Sequence, residues 1–400
     1  MGVATLEQGG AAIGTDGAVS LPLFVGFTIV ATGGPLALVA LNVPGVVATR
    51  RSMGLVVVLA VAAFAVPLAV WYRYSERIVS AGGLYAFVEA AAGRRVARAQ
   101  GAVWIVSYGL YLPYTVTYVV YDLLPAVFPG VVPHRRLLEV AVPLAVSAVA
   151  MMHVRAMLLV AAALAAGQTV VVLALLAAGR HSVGAPGAAL AVHGGTGTLV
   201  HGSLNVSLLF VCSSLPLFLG GEVRAGSRTV QRGLLLGFGA AAAAVLVGSL
   251  VWANAAPGAS AGEIPGVTLG RATWGHGFAD LVGLGVVVST AGVMLAEFVA
   301  LARLLHAMSG HPIRTANRLV ASGFMAASLL SLINPDAFYR DLVKPSLVAL
   351  WVSQLLVVLV YPRWAARERR PLAGAVALGA GASALMGYGL YSALTLVSGA

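Results

Sequence analysis

Apolar residues run along this chain in stretches of about 20, parted by short segments that hold most of the charge, glycine and proline. Eleven such stretches lie at roughly 20–41, 53–75, 101–126, 136–153, 156–179, 203–222, 232–254, 277–306, 317–334, 342–361 and 371–397. Each is long enough to cross a bilayer core as a helix, so the pattern predicts an all-α integral membrane protein of 11 transmembrane helices. Spans four and five are joined only by the stretch around "MMHVRAM", and connectors such as "GRHSVGAPGAALAVHGGTG" leave no room for a second soluble domain.

Composition agrees with the pattern. Of 400 residues, 60% are hydrophobic and 9% charged, with a mean hydropathy of +0.95, more apolar surface than a soluble fold can cover. The single cysteine, Cys212, excludes an internal disulfide and a multi-cysteine metal site, and nothing in the sequence asks for a cofactor. No basic segment precedes the first apolar run, so no cleaved signal peptide is expected. "MGVATL" has Leu6 where a myristoylation signal needs Ser or Thr. The net charge of +11 could suggest a nucleic-acid partner, but its distribution argues against one. With the N-terminus inside, 16 of the 24 Lys and Arg fall in inner segments, including Arg73, Arg77, Arg94, Arg224, Arg303 and Arg370, and 8 in outer ones. That bias follows the positive-inside rule and predicts a cytoplasmic segment over residues 1–19, in the cell membrane.

Two spans are interrupted. In "VATGGPLAL", Pro35 has no N–H, so the carbonyl of Ala31 loses its helical partner; in "LLFVCSSLPLFLGG", Pro216 does the same to Cys212. An unpaired carbonyl in hydrocarbon costs several kcal/mol unless protein, water or ligand satisfies it. The breaks fall about half-way along the first and sixth spans. This suits two inverted five-helix repeats (5+5), about 20–179 and 203–361, with broken helices 1 and 6, a site between them and one extra C-terminal helix at 371–397. The alternative is a pair of ordinary kinks, since proline is common in membrane helices.

"YSERIVSAGGLYAFVEAAAGRRVARAQGAVWIVSYGLYLPY", Tyr74 to Tyr114, resembles the second-to-third helix region of amino acid–polyamine–organocation (APC) superfamily permeases. Gly82-Gly83-Leu84-Tyr85 matches their inner-loop Gly-Gly-x-Tyr motif. "GEVRAGSRTVQRG" is similar to the loop after their sixth helix through Glu222, Val223, Arg224, Arg228 and Arg232, and "ARLLHAMSGHP" to the loop after their eighth. The resemblance covers about residues 20–360 and implies alternating-access transport of a small amine-bearing solute such as an amino acid or polyamine. Departures fall at the breaks: the family's Gly-Ser-Gly becomes Ala31-Thr32-Gly33, and its Phe-x-Gly-Phe-Glu becomes roughly Cys212-Ser213-Ser214-Leu215-Pro216. The family's usual twelfth helix has no counterpart among the apolar stretches.

The candidate substrate site therefore comprises Ala31, Thr32, Gly33 and Gly34 at one break and Cys212, Ser213 and Ser214 at the other. The freed carbonyls would accept from an ammonium, and the Gly33 and Gly34 N–H groups would donate to a carboxylate. Span three carries Trp104, Tyr108, Tyr111, Tyr114, Tyr118 and Tyr121 at helical steps of three and four. Tyr108 and Tyr111 would wall the site for a cationic or aromatic ligand, whereas Tyr118 and Tyr121 suit the membrane interface. Glu297 lies inside span eight two turns before Arg303, either as a coupling group or in a structural pair with an arginine. Ser289 and Thr290 sit where, by the resemblance, two helix-eight hydroxyls bind sodium in sodium-coupled relatives. The helix-five lysine of proton-dependent relatives is replaced by Gln168. A coupling proton or sodium ion thus stays open.

Rival readings are a carrier of a nucleobase-like solute or metal ion, a membrane enzyme, or a non-transporting sensor. A metal carrier should show Asp, Asn, Met or His at both breaks. An enzyme should show paired carboxylates or a nucleophile with its base at one depth. "GASAG", Gly258 to Gly262, has the spacing of a nucleophile elbow without the strand–turn–helix around it. His134, His181, His193, His201 and His276 lie in outer regions without metal-ligand spacing.

Overall fold

The computed structural model describes residues 19–47, 50–179, 186–253 and 262–396. The expectations placed on residues 1–18, Arg180, His181 and most of the "GASAG" stretch lie outside them.

Hydrocarbon offers no partner to a backbone N–H or C=O, and the described residues form helix almost throughout. The first apolar stretch holds α1 (Leu21–Ala31), a turn, α2 (Pro35–Ala37), a π turn (Leu38–Asn42) and α3 (Val43–Val46). The second is α4 (Met53–Ser75), and α5 (Leu84–Ala92) lies in the loop that follows. The third is α6 (Arg94–Tyr118), a π turn (Val119–Leu123) and α7 (Leu124–Val127). Then come α8 (Arg135–Ala150), α9 (Val154–Gly179) and the short α10 (Pro186–Leu190). The sixth stretch joins α11 (Thr196–Leu208) to a 3-10 run of 12 residues, Val211–Glu222. Next are α12 (Ser227–Ala253), α13 (Pro265–Trp274) and α14 (His276–Ser309). The chain ends through α15 (Ile313–Ser331), α16 (Pro335–Leu359), α17 (Tyr361–Arg367) and α18 (Leu372–Thr395).

Nine segments among the described residues are long and apolar enough to cross a bilayer. The other two expected spans are helical but marginal: α8 has 16 residues, and α15 has Arg314, Asn317 and Arg318 in its first two turns. Several helices outrun their apolar stretches, as α6 does from Arg94 and α14 to Ser309, because helix continues past the hydrocarbon into charged residues. The buried residues form one continuous core from Val19 to Ala393.

Two prolines inside the spans leave carbonyls that other helices satisfy. Pro125 cannot return an N–H to Tyr121, whose carbonyl accepts from Arg135 Nη2 at 2.9 Å. Pro44 cannot close a π turn on Val39, whose carbonyl accepts from Trp252 Nε1 at 2.8 Å. Both repairs sit at the two π turns, where the ladder is already out of register.

One end of the bundle is locked around the 3-10 run. Val19 N–H donates to the Glu222 carbonyl at 3.1 Å, and Arg224 N–H donates back to Val19 at 2.9 Å. Gly83 has φ +48°, and a β-carbon there would meet the Phe218 ring at 2.6 Å, so the Gly-Gly-Leu-Tyr loop needs this glycine to dock. Arg303 Nε donates to Glu222 at 2.7 Å, with both side chains about 95% buried or more. Arg77 pairs with Glu368 and Arg370 with Glu76, so these ion pairs join residues that the charge bias places on one side.

A buried pair is worth most through what its breaking exposes. Arg303→Met is expected to cost about 3–5 kcal/mol by stranding Glu222. The joint change Glu222→Leu with Arg303→Met should cost far less, as compared by thermal unfolding of the purified protein.

Candidate functional site: a junction of two interrupted helices

The two interruptions meet. Ser213 Oγ donates to Thr32 Oγ1 at 3.3 Å, and Thr32 Oγ1 donates to the Thr28 carbonyl at 2.7 Å, with both side chains fully buried. The chain leaves α1 through Gly33 and Gly34, at φ +122° and +66°, and their N–H groups return to the Val30 carbonyl at 3.4 and 3.0 Å. The donors read as available to a substrate carboxylate therefore close the chain's own turn in this conformation. Ala31 is buried at the start of the turn.

At the second break the local geometry differs from the expectation. A 3-10 run closes its hydrogen bonds three residues back, so in that pattern Pro216 deprives Ser213 of a partner rather than Cys212. Ser214 Oγ donates to Val211 O at 3.0 Å and accepts from Gln354 Nε2 of α16 at 3.1 Å, which ties this break to a helix the sequence did not single out. Cys212 is partly buried, its sulfur 4.0 Å from the Tyr108 hydroxyl.

The aromatic stripe of α6 becomes a ladder. Trp104 lies 4.1 Å from Tyr108 and 4.9 Å from Phe218 of the 3-10 run, and Tyr111 follows 6.4 Å beyond Tyr108. Tyr114 stacks at 5.0 Å on Tyr339 of α16, which also meets Tyr118. Tyr121 leaves the ladder and lies under the Arg135 guanidinium, 5.2 Å away. Tyr339 carried no signal in the sequence, because its role comes only from packing.

Glu297 supplies the charge. It is fully buried, and neither carboxyl oxygen has a hydrogen-bond partner among the described residues. α14, which carries it, packs against α1, α6 and the 3-10 run, and Cys212, Tyr108 and Tyr111 lie within electrostatic reach of the carboxyl. The alternative of a structural pair with Arg303 does not hold, since Arg303 is paired with Glu222.

The helix-eight hydroxyls diverge. Ser289 Oγ donates to Gln168 Oε1 at 2.9 Å and accepts from the Ala37 N–H at 3.2 Å, so α14, α9 and α2 meet at one hydroxyl. Thr290 Oγ1 donates to Val286 of its own helix at 3.0 Å. Among the described residues no three His, Cys, Asp or Glu side chains gather as a metal cluster. What the junction offers is aromatic faces, two hydroxyls, one thiol and a carboxylate without a counter-charge, a set matched to an organic cation.

No family model matches the chain, and no curated protein matches it. Solved structures do. The chain is similar to the manganese transporter of Eremococcus coleocola bound to an aromatic bis-isothiourea compound, at 12% identity and TM-score 0.61, over 94% of this chain and 87% of that one. It is similar to MhsT in complex with L-phenylalanine, at 10% identity and TM-score 0.64, over 92% of this chain and 97% of that one. A mutant of the Eremococcus transporter aligns at 10% identity and TM-score 0.59 over 95% and 90%. The fold is thus that of LeuT-type transporters, and the chain is an integral membrane protein. At these identities the likeness is one of fold and does not single out the APC superfamily.

Gly34 is the tightest point of the junction. A β-carbon there would stand 2.0 Å from Ser289 Oγ, on a backbone that L side chains rarely adopt. Gly34→Ala is expected to destabilise the protein by about 1–3 kcal/mol. Removing the clash with Ser289→Gly should restore part of the loss, as read from the melting temperatures of the single and double variants.

Proposed function

We propose that the protein is a secondary transporter of a small amine-bearing organic solute, an amino acid or polyamine-like compound, working by alternating access. It does so without enzyme chemistry, a cofactor or a nucleic-acid partner. The observation that carries the reading is Glu297, a fully buried carboxylate with no hydrogen-bond partner among the described residues, near Tyr108, Tyr111 and Cys212 where two interrupted helices meet. An isolated buried charge is costly, so a site of this kind is completed by a positive group that arrives and leaves. A substrate ammonium, or a coupling proton or sodium ion, supplies that charge, and the rings of Tyr108 and Tyr111 flank it. The LeuT-type fold supports the reading because interrupted helices at mid-membrane are its means of binding small solutes. A manganese transporter shares the fold, but here the breaks present Thr32, Ser213 and Cys212 with a single carboxylate, a poor donor set for a divalent ion.

The same reading has eleven crossings in two inverted repeats of five plus one, N-terminus inside, in the cell membrane. The marginal helices α8 and α15 then cross with their polar ends at the interfaces. Reporter insertions near Arg369 and near Gly195 should lie on opposite sides of the membrane, and finding both on one side would overturn this topology.

In proteoliposomes, a panel of amines and amino acids should contain a substrate whose uptake falls roughly tenfold or more in Glu297→Gln, matching a lost charge-assisted contact of about 1.5–3 kcal/mol. Loss of uptake with intact counterflow exchange would make Glu297 the coupling group. Unchanged uptake and exchange would reduce it to a structural role. Cys212, as the sole thiol, gives a second measurement: a small thiol reagent should block transport, and bound substrate should slow the labelling. Equal labelling rates with and without substrate would place the site elsewhere.

A further inference from the structure

A second buried carboxylate lies apart from the helix junction. Glu139 on α8 is fully buried between α6 and α15, and the sequence reading attached no role to it. One oxygen, Oε1, accepts from Thr117 Oγ1 of α6 at 2.8 Å and from Ser331 Oγ of α15. Among the described residues the other, Oε2, has no partner, and neither has the buried hydroxyl of Ser328 one turn before Ser331.

Both hydroxyls have a second acceptor within reach. Thr117 Oγ1 lies 3.1 Å from the Pro113 carbonyl, and Ser331 Oγ lies 2.7 Å from the Ser328 carbonyl. A hydroxyl carries one proton, so each can turn it to the carboxylate or to its own helix. In the first state they partly compensate an unoccupied Glu139. In the second they present lone pairs beside Oε1, so the oxygens gathered there are all acceptors.

Among the described residues no basic side chain forms an ion pair with Glu139. Arg135, one turn earlier on α8, donates to the Tyr121 carbonyl and lies over the Tyr121 ring. The titratable groups nearest in the fold are Arg135 and Arg136 at the start of α8 and Tyr121 and Asp122 on the π turn that packs against it.

A cavity of about 450 Å³ lies nearby, lined by Tyr121, Arg135, Arg136, Leu332 and Asp336 among others. Tyr121 is one turn beyond Thr117, Arg135 one turn before Glu139, and Leu332 follows Ser331, so the cluster lies about one turn below the cavity wall. Two arginines against one aspartate do not make this rim attract cations; the selectivity comes from the buried carboxylate.

We propose that Glu139, Thr117 and Ser331 form a second cation site, separate from the helix junction, that holds one monovalent positive charge, an alkali ion or a proton. One carboxylate matches one charge, and a divalent ion would leave a net charge buried. This site stands on Glu139 alone, so it is decided independently of the role of Glu297.

The full-length purified protein is melted in sodium chloride and in choline chloride of equal ionic strength, at pH 6 and pH 8, as wild type, Glu139→Gln, Thr117→Val, Ser331→Ala and Glu297→Gln. Sodium should raise the wild-type midpoint at pH 8 by about 2 °C or more. The rise should vanish in Glu139→Gln, shrink in the two hydroxyl variants and persist in Glu297→Gln. If sodium has no effect but the wild-type midpoint falls from pH 6 to pH 8 and that of Glu139→Gln does not, the bound cation is a proton. If neither sodium nor pH separates wild type from the Glu139, Thr117 and Ser331 variants, the site does not exist. Should Glu139→Gln fail to fold, the two hydroxyl variants decide between these results.

Discussion

Backbone hydrogen bonding in hydrocarbon is the constraint on which the rest of this structure depends. Every departure from helix leaves a polar group that lipid cannot satisfy, so each departure calls for a partner from another helix. Tyr121 and Val39 lose donors to Pro125 and Pro44 and regain them from Arg135 and Trp252. The turn at Gly33 and Gly34 closes on Val30, and Ala37 borrows the hydroxyl of Ser289. Irregular backbone thus becomes cross-linking. The irregular segments are bound to distant elements, the 3-10 run to α1, α12 and α14, and this holds the two interrupted helices against each other.

The same economy governs charge. Among the described residues three carboxylates are buried, and each is compensated differently. Glu222 has a guanidinium and holds the 3-10 run against α14. Glu139 has two hydroxyls, which stabilise a charge less than a cation does and can turn away from it. Glu297 has no hydrogen-bond partner among the described residues. The series runs from a permanent fastening to a group completed only by something from outside the chain, and the least compensated member lies among the aromatic rings.

Much of this was legible in the sequence because its causes are local. Apolar runs gave the helices, the Gly-Gly-Pro and Ser-Ser-Leu-Pro segments marked the interruptions, and steps of three and four placed Tyr108, Tyr111 and Tyr114 on one face. Glu297 stood out as a charge in an apolar run. What stayed hidden is tertiary. Nothing near Gln168 or Gln354 announces that they meet Ser289 and Ser214 from other helices, and Tyr339 gains its place only when α16 packs on α6. Glu139 escaped notice because it sits near Arg135 and Arg136, in a segment that reads as an interface rather than an interior. The 3-10 form of Val211–Glu222 was not foreseeable either: Pro216 and the Gly220-Gly221 pair mark a break without specifying its winding, and the packing of Gly220 and Gly221 against the loop backbone at Ser80 and Ala81 is tertiary.

That tighter winding stores length. At roughly 2.0 Å of rise per residue, the 12 residues from Val211 to Glu222 reach about 24 Å, whereas the same residues wound as α-helix would reach about 18 Å. Rewinding would shorten the segment by about 6 Å and turn successive side chains through a different angle. Because Ser213 stands near one end and Glu222 at the other, a change of pitch would pull on the Thr32 contact and on the Arg303 clasp together. The extension of the segment follows its hydrogen-bond register, so a change in that register would be felt at the helix junction and at the Glu222 clasp alike.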